Sequence, residues 1–238
     1  LSASADGSAA DGRPRRLALV GDVHANLRAL DAVLERIRAE GITRGAFTGD
    51  LVMRGPDPEG TLARVRELGW PAVAGNTDVK VAGNAALDIR PEPPRPPEHS
   101  ASQRVGSRSW TMRHLSKPDR RFLAGLRIVE RVEVGDTTVA VMHASPEDPT
   151  EVIDSSTDPA RLAALAAELD AGCVVTGHTH RPHAFESAGV LFVNPGAVGD
   201  TRGEDRRPRW AWLEAVDGGL AVHLERVGLP LMQVRLTD

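Results

Sequence analysis

Residues 17–50, "LALVGDVHANLRALDAVLERIRAEGITRGAFTGD", hold two short apolar runs, each followed by a glycine and an aspartate. The runs "LALVG" (17–21) and "GAFTG" (45–49) read as buried strands, being too short for helices and bounded by turn residues. Between them Leu27, Leu30, Val33, Leu34 and Ile37 recur at helical spacing, with Asn26 placed to cap that helix and Gly41 to end it. Strand, helix and strand within about 30 residues predict two parallel strands joined by a right-handed crossover.

The pattern continues outward. "PEGTLARVRELG" (58–69) predicts a second helix, with Leu62, Val65 and Leu68 on one side, and "PAVAG" (71–75) a third strand. "KPDRRFLAGL" (117–126) reads as a short helix starting near Ser116. From about 127 the period falls to two, and "RIVERVEV" and "TTVAVMH" around Gly135-Asp136 predict a hairpin. A helix over 158–172 precedes "CVVTG", after which "HAFESAG", "VLFVNPG", "RWAWLEAV" and "GLAVHLERV" read as antiparallel strands. The expected fold is α/β, a four-layer α/β/β/α sandwich of two mixed sheets flanked by helices. The strand–helix units at its start are expected to give the first sheet parallel pairing. Residues 1–14 are expected to form a flexible tail ahead of a single domain over 15–238. The Pro- and Ser-rich stretch 90–109 is expected to be an exposed loop or the margin of a lid.

Composition narrows the function. A net charge of −4 argues against a general electrostatic grip on nucleic acid or an anionic membrane. No apolar run approaches the ~18 residues of a membrane span, and the N-terminus carries no secretion signal, so a cytoplasmic location is expected. Of 29 basic residues only Lys80 and Lys117 are lysine, which makes any single arginine a weak signal. Cys173 is the only cysteine, so neither an internal disulfide nor a cysteine-based zinc site can form, and its place in "CVV" suits a buried side chain.

The informative polar residues stand where strands stop. The first strand ends in "GDVH", giving Asp22 and His24. The second ends in "TGD", giving Asp50, and the third in "GN", giving Asn76. The hairpin strand ends in "MH", giving His143, and the "CVV" strand runs into "GHTH", giving His178 and His180. In an open α/β sheet, ligands gather outside the carboxyl ends of the strands, so these side chains are expected to converge. Carboxylate, amide and imidazole without thiolate suit Mn²⁺, Fe or Zn²⁺, with Mg²⁺ and Ni²⁺ as lesser alternatives. Seven donors are too many for one ion with an open position and suit two ions sharing a carboxylate. Such a pair is a clamp for phosphoryl displacement.

Together "GDVHAN", "GDLVMRGP", "GNTD", "MHASP" and "GHTH" resemble, in this order, the calcineurin-like metallophosphoesterase superfamily from about residue 17 to 200. "GHTHRP" and "NPGAVG" are similar to its small bacterial phosphoesterases. The resemblance implies one metal on Asp22, His24 and His180, a second on Asn76, His143 and His178, and Asp50 bridging them. It also implies a small phosphate mono- or diester attacked directly by a hydroxide between the metals, with Arg54 of "GDLVMRGP" steadying the phosphate. This chain departs from the family at Gly75-Asn76-Thr77-Asp78, where many members have histidine in place of Thr77. Threonine cannot protonate a leaving oxygen, so poor leaving groups should react slowly while aryl esters and some diesters suffer less. Asp78 is expected to cap a helix. His99, His183 and His223 are expected to be surface or supporting residues, and His114, with Trp110, a candidate lid residue. "GDLVMRGP" is also similar to protein serine/threonine phosphatases and diadenosine tetraphosphate hydrolases, the alternative activities. A non-catalytic binding scaffold of the same fold is a third reading. A homo-oligomer is left open, and neither a membrane nor a stable nucleic-acid partner is expected.

Overall fold

The computed structural model describes residues 14–83, 105–202 and 204–228. Most of the expected N-terminal tail, and residues 84–104, which include 90–104 of the Pro/Ser-rich stretch with His99, lie outside the described residues. Pro14, assigned to the tail, is instead buried, and its carbonyl accepts from the Gly135 N–H at 2.9 Å.

Strand β1 (Arg16–Val20) leads to helix α1 (Leu27–Ala39) and then to β2 (Gly45–Phe47), which pairs with β1 in parallel. Helix α1 begins where the Asn26 side chain accepts from the Ala29 N–H, and Gly41 takes up a left-handed conformation just past its end. Helix α2 (Pro58–Leu68) is capped by Asp57 and stopped by left-handed Gly69. α3 (Asn76–Ala82), α4 (Arg108–His114) and α5 (Lys117–Ala124) follow, so residues 108 and 109 belong to a helix and not to the expected loop. The hairpin is β3 (Val129–Val134) and β4 (Thr137–Met142). Helix α6 (Pro159–Leu169) precedes β5 (Cys173–Val175). The chain closes with β6 (His183–Ser187), β7 (Val190–Asn194), β8 (Arg209–Val216) and β9 (Gly219–Arg226).

The strands form two sheets, ordered β2-β1-β8-β9 and β3-β4-β5-β7-β6. Alternation along each strand divides the apolar residues into three cores. Leu17 and Leu19 of β1 and Ala211 and Leu213 of β8 meet Val139, Val141, Cys173 and Val175 between the sheets. Ala18, Val20, Trp210 and Trp212 point the other way, onto Leu30, Val33, Leu34 and Ile37 of α1. Ala140, Met142 and Val174 cover Leu162, Leu165 and Leu169 of α6. The expected four layers are present.

Two expectations are corrected. Both sheets are mixed as expected, but in the first the parallel pairing is confined to β1 and β2: β8 pairs antiparallel with both β1 and β9, because the C-terminal hairpin returns beside the first strand. "PAVAG" is not a full strand, since Ala72 and Val73 make only isolated bridges to Phe47 and Arg127. Pro71 has no N–H to extend the ladder, and Ala74 donates across to Arg127 instead. Both corrections leave the parallel strand ends facing one place.

Candidate metal centre

Backbone hydrogen bonds tie the loops after those ends together. Asp22 N–H donates to the Gly49 carbonyl and His24 N–H to the Asp50 carbonyl, at 3.1 and 2.9 Å. Gly177 N–H donates to the His143 carbonyl at 2.9 Å. Gly75 lies so close to the second loop that a Cβ there would stand 2.1 Å from the Asp50 amide nitrogen. Asp22, His24, Ala25, Asp50, Met53, Arg54, His178 and His180 all have positive φ, a conformation that costs a non-glycine residue on the order of 1 kcal/mol or more. Strain of this kind gathers at functional sites, and here it marks the loops that carry the predicted side chains.

The structure brings those side chains together. Asp22, His24, Asp50 and His180, all buried, offer donor atoms that lie within 4.8 Å of one another. Next to them Asn76 Oδ1 lies 3.1 Å from His143 Nε2 and 3.2 Å from His178 Nδ1. Asp50 stands between the two groups, with Oδ2 3.6 Å from His24 Nε2 and Oδ1 3.5 Å from His143 Nε2. Asp50 Oδ1 also accepts the Thr77 N–H at 2.8 Å.

The proton positions on two rings follow from their partners. His143 Nδ1 donates to the Thr48 carbonyl at 2.8 Å, and His180 Nδ1 to the Asp200 carbonyl at 2.5 Å. A carbonyl oxygen only accepts, so in each neutral ring Nε2 keeps its lone pair. That lone pair faces acceptor oxygens: those of Asn76 and Asp50 for His143, and that of Asp22 (3.1 Å) for His180, with His24 Nε2 3.2 Å away. Neither oxygen of the fully buried Asp22 carboxylate is in hydrogen-bond geometry, and His24 Nδ1 also lacks a partner. A buried carboxylate in this state costs several kcal/mol unless a positive charge faces it. Divalent cations would satisfy the lone pairs and the carboxylates at once, and the donor set suits them.

The ionisation of the site agrees. Burial would raise the Asp50 pKa, but His143, His24 and the Thr77 N–H outweigh it and hold the carboxylate at about 2. Burial pushes His24 down to about 4, keeping it neutral. His178 is also lowered, by burial and by His143. For His143 and His180 burial acts downward, yet the neighbouring carboxylates of Asp50 and Asp22 raise both. Those two rings take up protons where a cation would otherwise sit.

Other predicted residues are placed elsewhere or differently. Arg54 stands at the half-exposed rim, its Nη1 paired with the Asp200 carboxylate. Thr77 is buried and its hydroxyl donates to the Val52 carbonyl at 2.9 Å, away from proton transfer. Asp78, in the first turn of α3, accepts the Gly75 N–H at 2.9 Å and also the N–H groups of Leu51 and Val52, at 2.9 and 3.1 Å. Burial and the Asp50 charge raise its pKa to about 7. His114 stacks on Trp110, its ring centroid 3.7 Å away, and donates to the Trp110 carbonyl. His223 stacks on Trp212 and His183 lies against Phe185, so none of the three joins the cluster. Cys173 is buried, its thiol pushed up to about 12.

Sequence reasoning missed two supporting residues. Asn194, at the end of β7, donates to the Gly177 carbonyl at 2.6 Å and to Thr179 Oγ1 at 3.2 Å, fixing the loop of His178 and His180. Asp200 holds both the His180 ring and Arg54. The signal was available, since "VLFVN" and the following "PGAVGD" are one more apolar run stopping at donors.

Comparison with known proteins gives a consistent result. The model of the calcineurin-like phosphoesterase superfamily domain matches residues 16–218. The structure of a metallophosphoesterase from Sphaerobacter thermophilus is similar, with a TM-score of 0.66 and 29% identity over 90% of this chain and 89% of that one. An uncharacterized protein of Methanocaldococcus jannaschii is 25% identical over 210 residues, which are 78% of this chain and 77% of that protein. Vps29 from Entamoeba histolytica, in a structure complexed with zinc, shares the fold, with a TM-score of 0.52 and 20% identity over 89% of this chain and 98% of that one. Among the described residues no helix is long and apolar enough to cross a membrane.

Proposed function

The chain belongs to the calcineurin-like phosphoesterase superfamily, and from that premise we propose that it hydrolyses small phosphate esters with the help of two divalent metal ions. The observation that carries this reading is the carboxylate of Asp50, which lies between two sets of donors, one of Asp22, His24 and His180, the other of Asn76, His143 and His178. Asp50 would serve both ions, and each set would complete one site. Bound there, the ions supply a hydroxide nucleophile at neutral pH and polarise the phosphorus oxygens.

The protein's own groups do the rest. The buried carboxylate of Asp50, held ionised, and that of Asp22 beside it would face the positive charge of the ions. The carbonyls of Thr48 and Asp200 hold the rings of His143 and His180 in one tautomer with Nε2 turned inward. Arg54 at the rim has further N–H groups with which to orient phosphate oxygens.

Thr77, which has no titratable proton and donates its hydroxyl to Val52, leaves the leaving group without an acid at that position. Because such an acid is typically worth about 10²–10⁴ in rate, reactivity should depend steeply on the leaving group. The test is a series of aryl and alkyl phosphate mono- and diesters with metal-loaded protein. Rates should climb as the pKa of the leaving alcohol falls. Loaded protein that hydrolysed none of them would overturn the proposal and favour a binding scaffold. A dinucleoside polyphosphate or phosphopeptide cleaved far faster than any simple ester would shift the substrate class.

A further inference from the structure

At the rim of the site the Asp200 carboxylate contacts two groups with separate purposes. One oxygen, Oδ2, pairs with Arg54 Nη1 and lies 3.7 Å from Nδ1 of His180, while the Asp200 backbone carbonyl accepts the hydrogen bond of that same Nδ1–H. Arg54 and Asp200 are each a little over one-third exposed, so the pair faces the solvent from which a substrate arrives. The backbone that carries Arg54 is held in place: its N–H donates to the Gly106 carbonyl at 2.7 Å, and a Cβ on Gly106 would come within 2.4 Å of the Arg54 carbonyl carbon. Arg54 is near enough to His24 to depress its pKa, and His180 and His24 in turn act on Asp200. The guanidinium therefore stands beside the cluster with its charge cancelled by a fixed carboxylate.

From this arrangement we infer that Asp200 sets the charge preference of the site, admitting singly charged phosphodiesters and discriminating against doubly charged phosphomonoesters. The inference rests on the phosphoesterase reading and refines its substrate class. An unopposed arginine would attract a dianion more strongly than a monoanion. With Asp200 beside it, the arginine still offers N–H donors, but the pair carries no net charge and the incoming ester meets a carboxylate. The second negative charge of a monoester is repelled without any gain from Arg54 to offset it.

Asp200→Asn tests this, since the backbone carbonyl that holds His180 is kept and the new amide oxygen still accepts from Arg54. Binding of inorganic phosphate and of dimethyl phosphate to metal-loaded wild type and variant is measured by calorimetry at pH 8, where the first is mainly a dianion and the second a monoanion. The expected result is about a tenfold gain in phosphate affinity and a clearly smaller one for dimethyl phosphate, the scale of one unit charge near a half-exposed site. The gain should shrink at high salt and vanish when Arg54→Ala is added. In the same comparison KM for p-nitrophenyl phosphate should fall relative to KM for bis-p-nitrophenyl phosphate. Equal changes for both anions, no change, or an equal loss of kcat on both esters with KM unmoved would overturn the inference, leaving Asp200 as a support for His180. If wild type bound both anions yet hydrolysed neither ester, the phosphoesterase reading would fail, and the binding arm would still decide the role of Asp200.

Discussion

His143 and His180 show how a single proton position constrains a site. Each ring is fixed by a carbonyl at Nδ1, so Nε2 is the atom that either protonates or binds a cation. Both rings have raised pKa values because Asp50 and Asp22 outweigh their burial. The metal-free chain thus holds these protons to a higher pH than an ordinary histidine would, and a metal ion must displace them. Affinity for Mn²⁺ should therefore rise with pH through the raised histidine range and level off above it, with protons released on binding. Calorimetric titration in two buffers of different ionisation enthalpy measures that release directly, and a pH-independent affinity with no proton release would contradict the assignment of these rings. At this scale much of the site was legible. Asp22, His24, Asp50, Asn76, His143, His178 and His180 each follow an apolar run, which is a local pattern. The pairing of Arg54 with Asp200 was not, because the two are 146 positions apart and sit in a chain where arginine is the default base.

Elements were read well where local chemistry decides them. Asn26, Asp57, Ser116 and Asp158 cap four helices, with capping residues visible in the sequence. "PAVAG" was read as a strand because apolar content alone cannot report whether a neighbour offers a full ladder. Helix α3 carries the consequence. It starts at Asn76, so its start sets the place of an amide of the candidate metal site, and Asp78 in its first turn fixes that start. One Asp78 oxygen takes the Gly75 N–H and the other takes the N–H groups of Leu51 and Val52 in the Asp50 loop. Asp78→Ala would leave three buried donors without partners, each costing about 1–3 kcal/mol. We expect a loss of at least about 3 kcal/mol in unfolding free energy, together with weaker metal binding as the Asp50 and Asn76 loops separate. Urea unfolding of the metal-free variant measures the first effect apart from the second. A loss under about 1 kcal/mol would mean that Asp78 does not hold these loops together.

Across the whole molecule, three parallel strand ends of the second sheet and two of the first deliver their loops to one buried place. The convergence was foreseeable from the rule for open sheets, but the route of the last hairpin was not. β8 inserts beside β1 by pairing between residues nearly 200 positions apart, and nothing local encodes that register. The hairpin closes the inter-sheet core with Ala211, Leu213 and Ala215, and in doing so presses the two sheets' loops together. The result buries Asp22 with neither carboxylate oxygen hydrogen-bonded, beside the buried carboxylate of Asp50. Folding without cations must therefore force repelling groups together, whereas cations that bind only the folded chain reverse that cost. At a free metal concentration 100 times the dissociation constant, a single site adds about 2.7 kcal/mol. For a chain of this length each kcal/mol moves the melting temperature by about 2–4 °C, so chelation should lower it by about 5–10 °C relative to Mn²⁺- or Zn²⁺-loaded protein. Scanning calorimetry with a chelator and with added metal decides the matter. Coincident melting curves would mean that the pocket is satisfied by its own protons, and the case for metal-dependent hydrolysis would lose its physical basis.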